Sequence, residues 1–390
     1  MKKILITILV ITIILGGYII LKDKDNNKKL VNDISNKEEI VEESAIDKEF
    51  KNSIFKDYYK EAQTIVEKMT IEEKVGQLFL VRYNSNDVAT LSNYYPGGYI
   101  LFAKDFENHT KESIKSELNY NQEINKYPLI FGVDEEGGYV TRISRFSAFR
   151  SEKFYAPKYY YQIGGYELLE QIENEKNQLL KSIGINLNLA PVADISYNEN
   201  DFIYSRAFGK PAKETSEFIK NMVTYANNNG MNSCLKHFPG YGNNLDTHTG
   251  IAIDNRSYEN FVENDYLPFK AGIEAKVPSI LVSHNIINSM DSTYPASLSE
   301  KVISELRNKL AFTGIIMTDD LAMDAVKQYV TNNEAATLAI NAGNDMIITS
   351  DFINMYNEVL TSVNNGKIKE ETIDKAVLRI ISWKKYSNLF

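Results

Sequence analysis

From residue 77 to residue 350, short apolar and β-branched runs alternate with longer stretches whose apolar positions recur every three or four residues. The short runs are QLFLVRY (77–83), GGYILFA (97–103), PLIFGVD (128–134), INLNLAP (185–191), MNSCLKH (231–237), PSILVSH (278–284), GIIMTDD (314–320) and NDMIITS (344–350). They read as strands and the stretches between them as helices. Thr70, followed three residues later by Glu73, forms a capping box for a helix ahead of the first strand. KETSEFIKNMVTYANNNG is a helix with Gly230 at its C-terminal end, and SLSEKVISELRNKLAF is one that Ser299 caps. Alternation of strand and helix favours a parallel sheet, and eight strands predict an α/β fold of the (β/α)8 TIM-barrel type. A doubly wound open sheet shares the alternation, but the polar residues separate the two. Asp134, His237, His284 and Asp319 all fall at the C-terminal ends of predicted strands. A barrel gathers those ends at one mouth, where its active site lies; an open sheet spreads them along a line.

The pattern is different upstream. Lys2 and Lys3 precede an uncharged apolar run, residues 4–21, close to the ~20 residues that span a bilayer. A signal peptide has a shorter apolar core of ~7–15 residues and a small-residue cleavage site, and here the run passes straight into KDKD. An uncleaved membrane anchor over residues 1–21 is therefore expected, with a cleaved signal as the alternative. No cysteine follows for a lipid anchor. Lysines flank the run on both sides, so charge barely biases its orientation; the short N-tail favours a cytoplasmic N-terminus and an external domain. Residues 22–55, rich in Lys, Asp, Glu and Asn, read as a polar linker, and residues 56–390 as the barrel domain.

Composition narrows the function. The 52 acidic residues outnumber the 43 basic ones, a formal charge of −9, which argues against nucleic acid as a partner. The single Cys234 forms no internal disulfide and excludes a cysteine-rich zinc site. The 25 tyrosines suit sugar stacking, or are surface bias.

Four segments carry candidate chemistry. In GVDEEGGYVTR, Asp134 ends a strand and Arg142 follows a Gly137-Gly138 turn; acceptor and forked donor together can hold neighbouring hydroxyls, or pair with each other. In YSRAFGK, Arg206 faces the mouth or pairs with Asp194 as a brace. KHFPGYGNNLDTHTG supplies Lys236 and His237 at a strand end, then Asp246 and His248. Residues two apart share a face, so the Asp246 carboxylate can fix the His248 tautomer and raise its basicity, a proton-transfer device. A metal site built from these residues with His284 and Asp319 stays open on the residues alone; a loop-bracing hydrogen bond is weakened because three of the four histidines fall at predicted strand ends or just beyond. In GIIMTDDLAMDAV, Asp320 can cap the following helix and leave Asp319 facing the mouth as a nucleophile.

Taken together, EEKVGQLF, GGYILFAKDFEN, VDEEGG with Arg142, INLNLAPVADI, SRAFG, KHFPG with Asp246-Thr-His248, LVSH and MTDDLAM resemble the family 3 glycoside hydrolases, specifically the single-domain bacterial β-N-acetylglucosaminidase type, over most of residues 66–385. The resemblance implies a (β/α)8 barrel and a retaining β-N-acetylhexosaminidase, with Asp319 the nucleophile and His248, polarised by Asp246, the general acid/base. Asp134, Arg142, Arg206, Lys236 and His237 would line the sugar pocket. It brings no cofactor and no metal; the partners it implies are a carbohydrate substrate and, through residues 4–21, a membrane, for a monomeric enzyme on the outer face of the cell. Tyr241 stands where the family commonly has a second His, Asn243-Asn244 where it has Asp-Thr, and Tyr139 where an Arg is common. SEKFYAPKYYYQIGG is more aromatic than usual. A phosphorylase or β-glucosidase on the same fold, a non-catalytic sugar-binding barrel and a metal-dependent hydrolase are the alternatives.

Overall fold

The computed structural model describes residues 50–244, 252–330 and 334–390. Eight parallel strands form one sheet in sequential order: β1 (Phe79–Arg82), β2 (Gly98–Leu101), β3 (Ile130–Val133), β4 (Leu187–Asn188), β5 (Asn232–Phe238), β6 (Ser279–Val282), β7 (Ile315–Thr318) and β8 (Ile347–Thr349). β8 pairs with β1 through Phe79↔Ile347, and a bridge between Met317 and Met346 joins β7 to the start of β8. The sheet therefore closes on itself, and the barrel expected from the alternation is the fold. Each strand lies within the run assigned to it, β5 reaching one residue further. β4 spans only two residues. The Asn188 side chain takes over there, accepting from Glu135 N at 3.0 Å and donating to Glu135 O at 3.2 Å. Three peptide bonds are cis: Ala190–Pro191, Lys236–His237 and Phe238–Pro239.

Helices α1 (Tyr59–Val66), α2 (Ile71–Gln77), α3 (Lys111–Ile124), α4 (Pro157–Ser182), α5 (Ala212–Asn228), α6 (Tyr266–Glu274), α7 (Glu300–Ser304), α8 (Ala335–Ala342), α9 (Phe352–Asn364) and α10 (Glu370–Tyr386) make up most of the outer layer. Thr70 and Glu73 close the capping box of α2, and the Ser299 hydroxyl accepts from Val302 N at the start of α7. Gly230 follows α5 with φ of 61°. Apolar faces of α5 and α6, through Phe218, Ile219 and Phe269, pack on Leu235, Ile280 and Ile316 of the strands. Such burial is worth roughly 1.5–3 kcal/mol per large side chain and holds the strand ends in place.

Packed structure begins earlier than the polar composition of residues 22–55 suggests. Phe50 and Phe55 are fully buried, against Tyr59 and Tyr386 respectively, and Ile54 N donates to Thr313 Oγ1 at 3.2 Å. Two isolated aromatic rings anchor this segment without changing its average polarity. Among the described residues no helix is long and apolar enough to cross a membrane; the run at 4–21 lies outside them.

Candidate active site

A cleft of ≈ 670 Å³ opens at the C-terminal ends of the strands. Strands β2 to β8 contribute to its wall, through Ile100, Asp134, Leu189, Lys236, His237, Leu281, Asp319 and Ile348. Arg142 and Arg206 line it as well, so Asp134, Arg142, Arg206, Lys236, His237 and Asp319 are brought together around one cleft. Asp246 and His248 lie outside the described residues.

The floor is an ionic cluster around Glu136, which the sequence reading missed. Lys236 Nζ donates to Asp134 Oδ1 at 2.5 Å and sits 2.6 Å from Glu136 Oε1. Arg206 grips Glu136 with two bonds, Nε to Oε2 at 3.0 Å and Nη2 to Oε1 at 2.8 Å. Burial pushes the Glu136 carboxyl up, but Lys236 and Arg206 outweigh it and hold the group well below the usual carboxylate range. Burial likewise pushes Lys236 down, and Asp134 and Glu136 reverse that and hold it above the ordinary lysine value. Lys236 and Arg206 are thus permanent cations around an ionised Glu136. The clue in sequence was three consecutive acids, Asp134-Glu135-Glu136, after one strand. Each has a separate task. Asp134 faces the cleft and Glu136 pairs below it. Glu135 is buried and accepts from the Arg142 and Ile143 N–H groups at 2.8 Å each, pinning the loop that carries Arg142.

Arg206 does not pair with Asp194, the bracing alternative. Asp194 is buried under His237 instead, with Oδ2 2.7 Å from Nδ1. On the far side, Arg206 Nη2 lies 3.1 Å from His237 Nε2. A guanidinium only donates, so Nε2 accepts and Nδ1 carries the proton given to Asp194. The imidazole is held between Arg206 and Asp194 in one orientation. Alternate strand residues face opposite sides, yet Lys236 and His237 both reach the cleft, because the β5–β6 register shifts between Leu235 and Phe238. Tyr241 fills the space behind His237, with ring centroids 5.0 Å apart and edge to face, and its N–H donates to Asp194 Oδ1 at 2.7 Å.

Arg142 stands over the Phe102 ring, 5.1 Å from its centroid, with Nη2 3.7 Å from Asp134 Oδ2. Its Nε is buried without a hydrogen-bond partner among the described residues. Across the cleft, Asp319 is half-buried at the end of β7; its N–H donates to Val282 O at 3.1 Å, and its Oδ1 accepts from Asp320 N at 2.8 Å. Asp320 also borders the cleft, but its Oδ1 is taken up, accepting from Ala322 N at 2.8 Å and Ser350 N at 3.1 Å and bracing the turn before the short helix Asp324–Lys327. A carboxylate therefore faces a wall of neighbouring acceptors and donors.

Both nitrogens of His237 are taken up, and so are those of His284, by Ser297 Oγ at 2.8 Å and Asp320 O at 3.1 Å. Neither imidazole has a lone pair directed at a metal, which weakens the metal-site alternative for these two residues.

The described residues on either side of positions 245–251 are bonded to one another. Asn244 Nδ2 donates to Asp254 Oδ2 at 2.6 Å. Arg256 then joins Asp254 and Asp265, with Nη1 2.9 Å from Asp265 Oδ2 and Nη2 2.8 Å from Asp254 Oδ2. Arg256 Nη2 also donates to Gly240 O at 3.1 Å. Gly240 adopts φ of 125°, and a Cβ there would stand 2.3 Å from Asp265 Oδ1, so only glycine allows this approach.

Comparison with known proteins now decides the family. The family model described as glycosyl hydrolase family 3 N-terminal domain matches residues 70–383. The chain belongs to glycosyl hydrolase family 3. It is 31% identical over 287 residues to a protein named Beta-hexosaminidase from Nitrosomonas eutropha, covering 71% of this chain and 80% of that one. A Beta-hexosaminidase of Methylobacillus flagellatus is 28% identical over 290 residues, with 71% and 80% covered. Among solved structures, a family 3 β-N-acetylglucosaminidase from Paenibacillus sp. str. FPU-7 superposes with a TM-score of 0.76 at 26% identity, covering 82% of this chain and 63% of that longer one. This family 3 protein is a glycosidase.

Proposed function

We propose that this glycosidase is a retaining, exo-acting β-N-acetylhexosaminidase that removes terminal β-linked N-acetylglucosamine from glycans or peptidoglycan fragments. The observation that carries it is the half-buried Asp319 carboxylate across the cleft from Asp134, Lys236 and Arg142 in a family 3 barrel. The Beta-hexosaminidase relatives support the sugar class. Asp134 accepts from sugar hydroxyls, Lys236 and Arg142 donate to them, and Arg206 and His237 complete the pocket. Asp319 attacks the anomeric carbon as the bond to the leaving oxygen breaks, and His248, partnered by Asp246, gives that oxygen its proton. His248 then takes a proton from water as the water attacks the same carbon and frees Asp319. A histidine suits the task because its intrinsic pKa lies near neutrality and it adds no second anion beside Asp319.

In this reading residues 4–21 anchor the protein in the membrane and the following polar residues hold the barrel outside the cell near its glycan. A panel of chromogenic glycosides, run with and without phosphate, tests the proposal. The expected result is cleavage of the N-acetyl-β-glucosaminide ahead of the β-glucoside, with free sugar as product in both buffers. Sugar phosphate formed only in phosphate buffer makes the protein a phosphorylase, and no cleavage of any member makes it a sugar-binding barrel.

A further inference from the structure

The β3–β4 side of the cleft rim carries aromatic surface that the site above does not use. Tyr139 is 82% exposed and Phe202 37%, and both line the cleft. Tyr155 and Tyr159 are 43% and 46% exposed, with ring centroids 5.2 Å apart. Hydrogen bonds and a close backbone approach tie the segments carrying Tyr155 and Tyr159, just outside the cleft lining, to those carrying Tyr139 and Phe202. The turn bearing Tyr139 is docked on the segment bearing Tyr155: Gly138 N donates to Phe154 O at 2.8 Å, and a Cβ at Gly137 would stand 2.4 Å from Tyr155 O. On the other flank Lys158 donates to Tyr204 O at 2.7 Å, tying the start of α4 to the 3-10 turn Phe202–Ser205. Tyr155 is fixed from behind, its N–H donating to the Tyr160 hydroxyl at 3.1 Å.

Single exposed apolar side chains need no explanation, but a run of them continuous with a binding cleft marks a site. Tyrosine faces with hydroxyl edges match a pyranose, which presents C–H groups on its faces and hydroxyls at its rim. We propose that Tyr139, Phe202, Tyr155 and Tyr159 form a stacking platform for the leaving-side sugars of a β-linked oligosaccharide. This rests on the exo-hydrolase reading: the terminal sugar fills the charged floor, so the rest of the chain exits over the mouth. Tyr139 and Phe202 meet the first leaving sugar, and Tyr155 and Tyr159 meet those further out.

Calorimetric titration of the full-length Asp319→Asn variant with the dimer and tetramer of β-1,4-linked N-acetylglucosamine tests the platform. The tetramer is expected to bind at least about tenfold more tightly than the dimer. Adding Tyr155→Ala and Tyr159→Ala brings the ratio close to one, whereas Tyr155→Phe with Tyr159→Phe keeps it. Equal affinities in the parent, a ratio that survives the alanine pair, or binding of neither oligosaccharide overturns the platform. Hydrolysis of an aryl N-acetyl-β-glucosaminide by the unsubstituted chain reads the enzymatic assignment separately: turnover without a length dependence sinks the platform alone, and length dependence without turnover sinks the hydrolase alone.

Discussion

Glu136 is the residue on which the pocket floor rests. It is buried between Lys236 and Arg206, and neither cation can be left there unpaired at low cost. Glu136→Gln keeps the shape and removes the charge, and is expected to destabilise the fold by about 3 kcal/mol in urea denaturation. The sign with pH follows from its depressed carboxyl. The stabilisation is complete above the ordinary Glu value of ~4.3 and is lost as pH falls below it. The variant is therefore expected to show a flatter decline in stability on the acid side; parallel curves contradict the ionised cluster. Asp134, Lys236, His237 and Asp319 were legible because each closes an apolar run and strand ends converge in a barrel, whereas Arg142 and Arg206 lie in the loops beyond and were legible only through the motifs VDEEGG and SRAFG. Glu136 and Asp194 were not. Which of three consecutive acids faces the cleft depends on loop geometry, and which carboxylate meets His237 depends on how β5 shifts its register.

At the scale of elements, the clip formed by Asn244, Asp254, Arg256 and Asp265 gives a purpose to residues where the chain departs from the family pattern. Asn244 bonds Asp254 directly, and Tyr241 packs edge to face on His237, which is held by Asp194. Burial pushes Asp265 up to about 6, with the nearby Arg256 charge only partly offsetting it. Between the ~3.9 of an unfolded Asp and about 6, the folded state therefore holds a proton that the unfolded state lacks. Its contribution to stability is greatest below that window and falls as pH rises through it. Comparing urea midpoints from pH 4 to 7, the wild type is expected to lose stability relative to Asp265→Asn as pH rises. A constant difference contradicts the assignment. The helices were legible through their caps, Thr70, Ser299 and Gly230, since capping is local chemistry. The shortening of β4 was not, because the Asn188 side chain substitutes for ladder bonds only once β3 stands beside it.

At the scale of the whole molecule, the (β/α)8 barrel was readable from eight alternating units because each strand is too short and apolar to be anything but a buried rung. The start of the domain was harder to read, since Phe50 and Phe55 sit in a polar stretch and act through tertiary contacts alone. A chain beginning at Glu49 is expected to retain the melting temperature and turnover of the full chain. One beginning at Asp57 loses both phenylalanine anchors and is expected to be destabilised by at least about 3 kcal/mol, the cost of emptying one such site. Equal melting of the two truncations contradicts the early boundary. The whole arrangement points chemistry at one carboxylate, Asp319. The most direct measurement is mass spectrometry of the protein after reaction with a fluorinated N-acetylglucosaminyl fluoride, which traps a glycosyl-enzyme. The expected result is a sugar adduct on the peptide containing Asp319, lost in Asp319→Asn; an adduct on Asp134, Glu136 or Asp320, or turnover with no adduct at all, contradicts it.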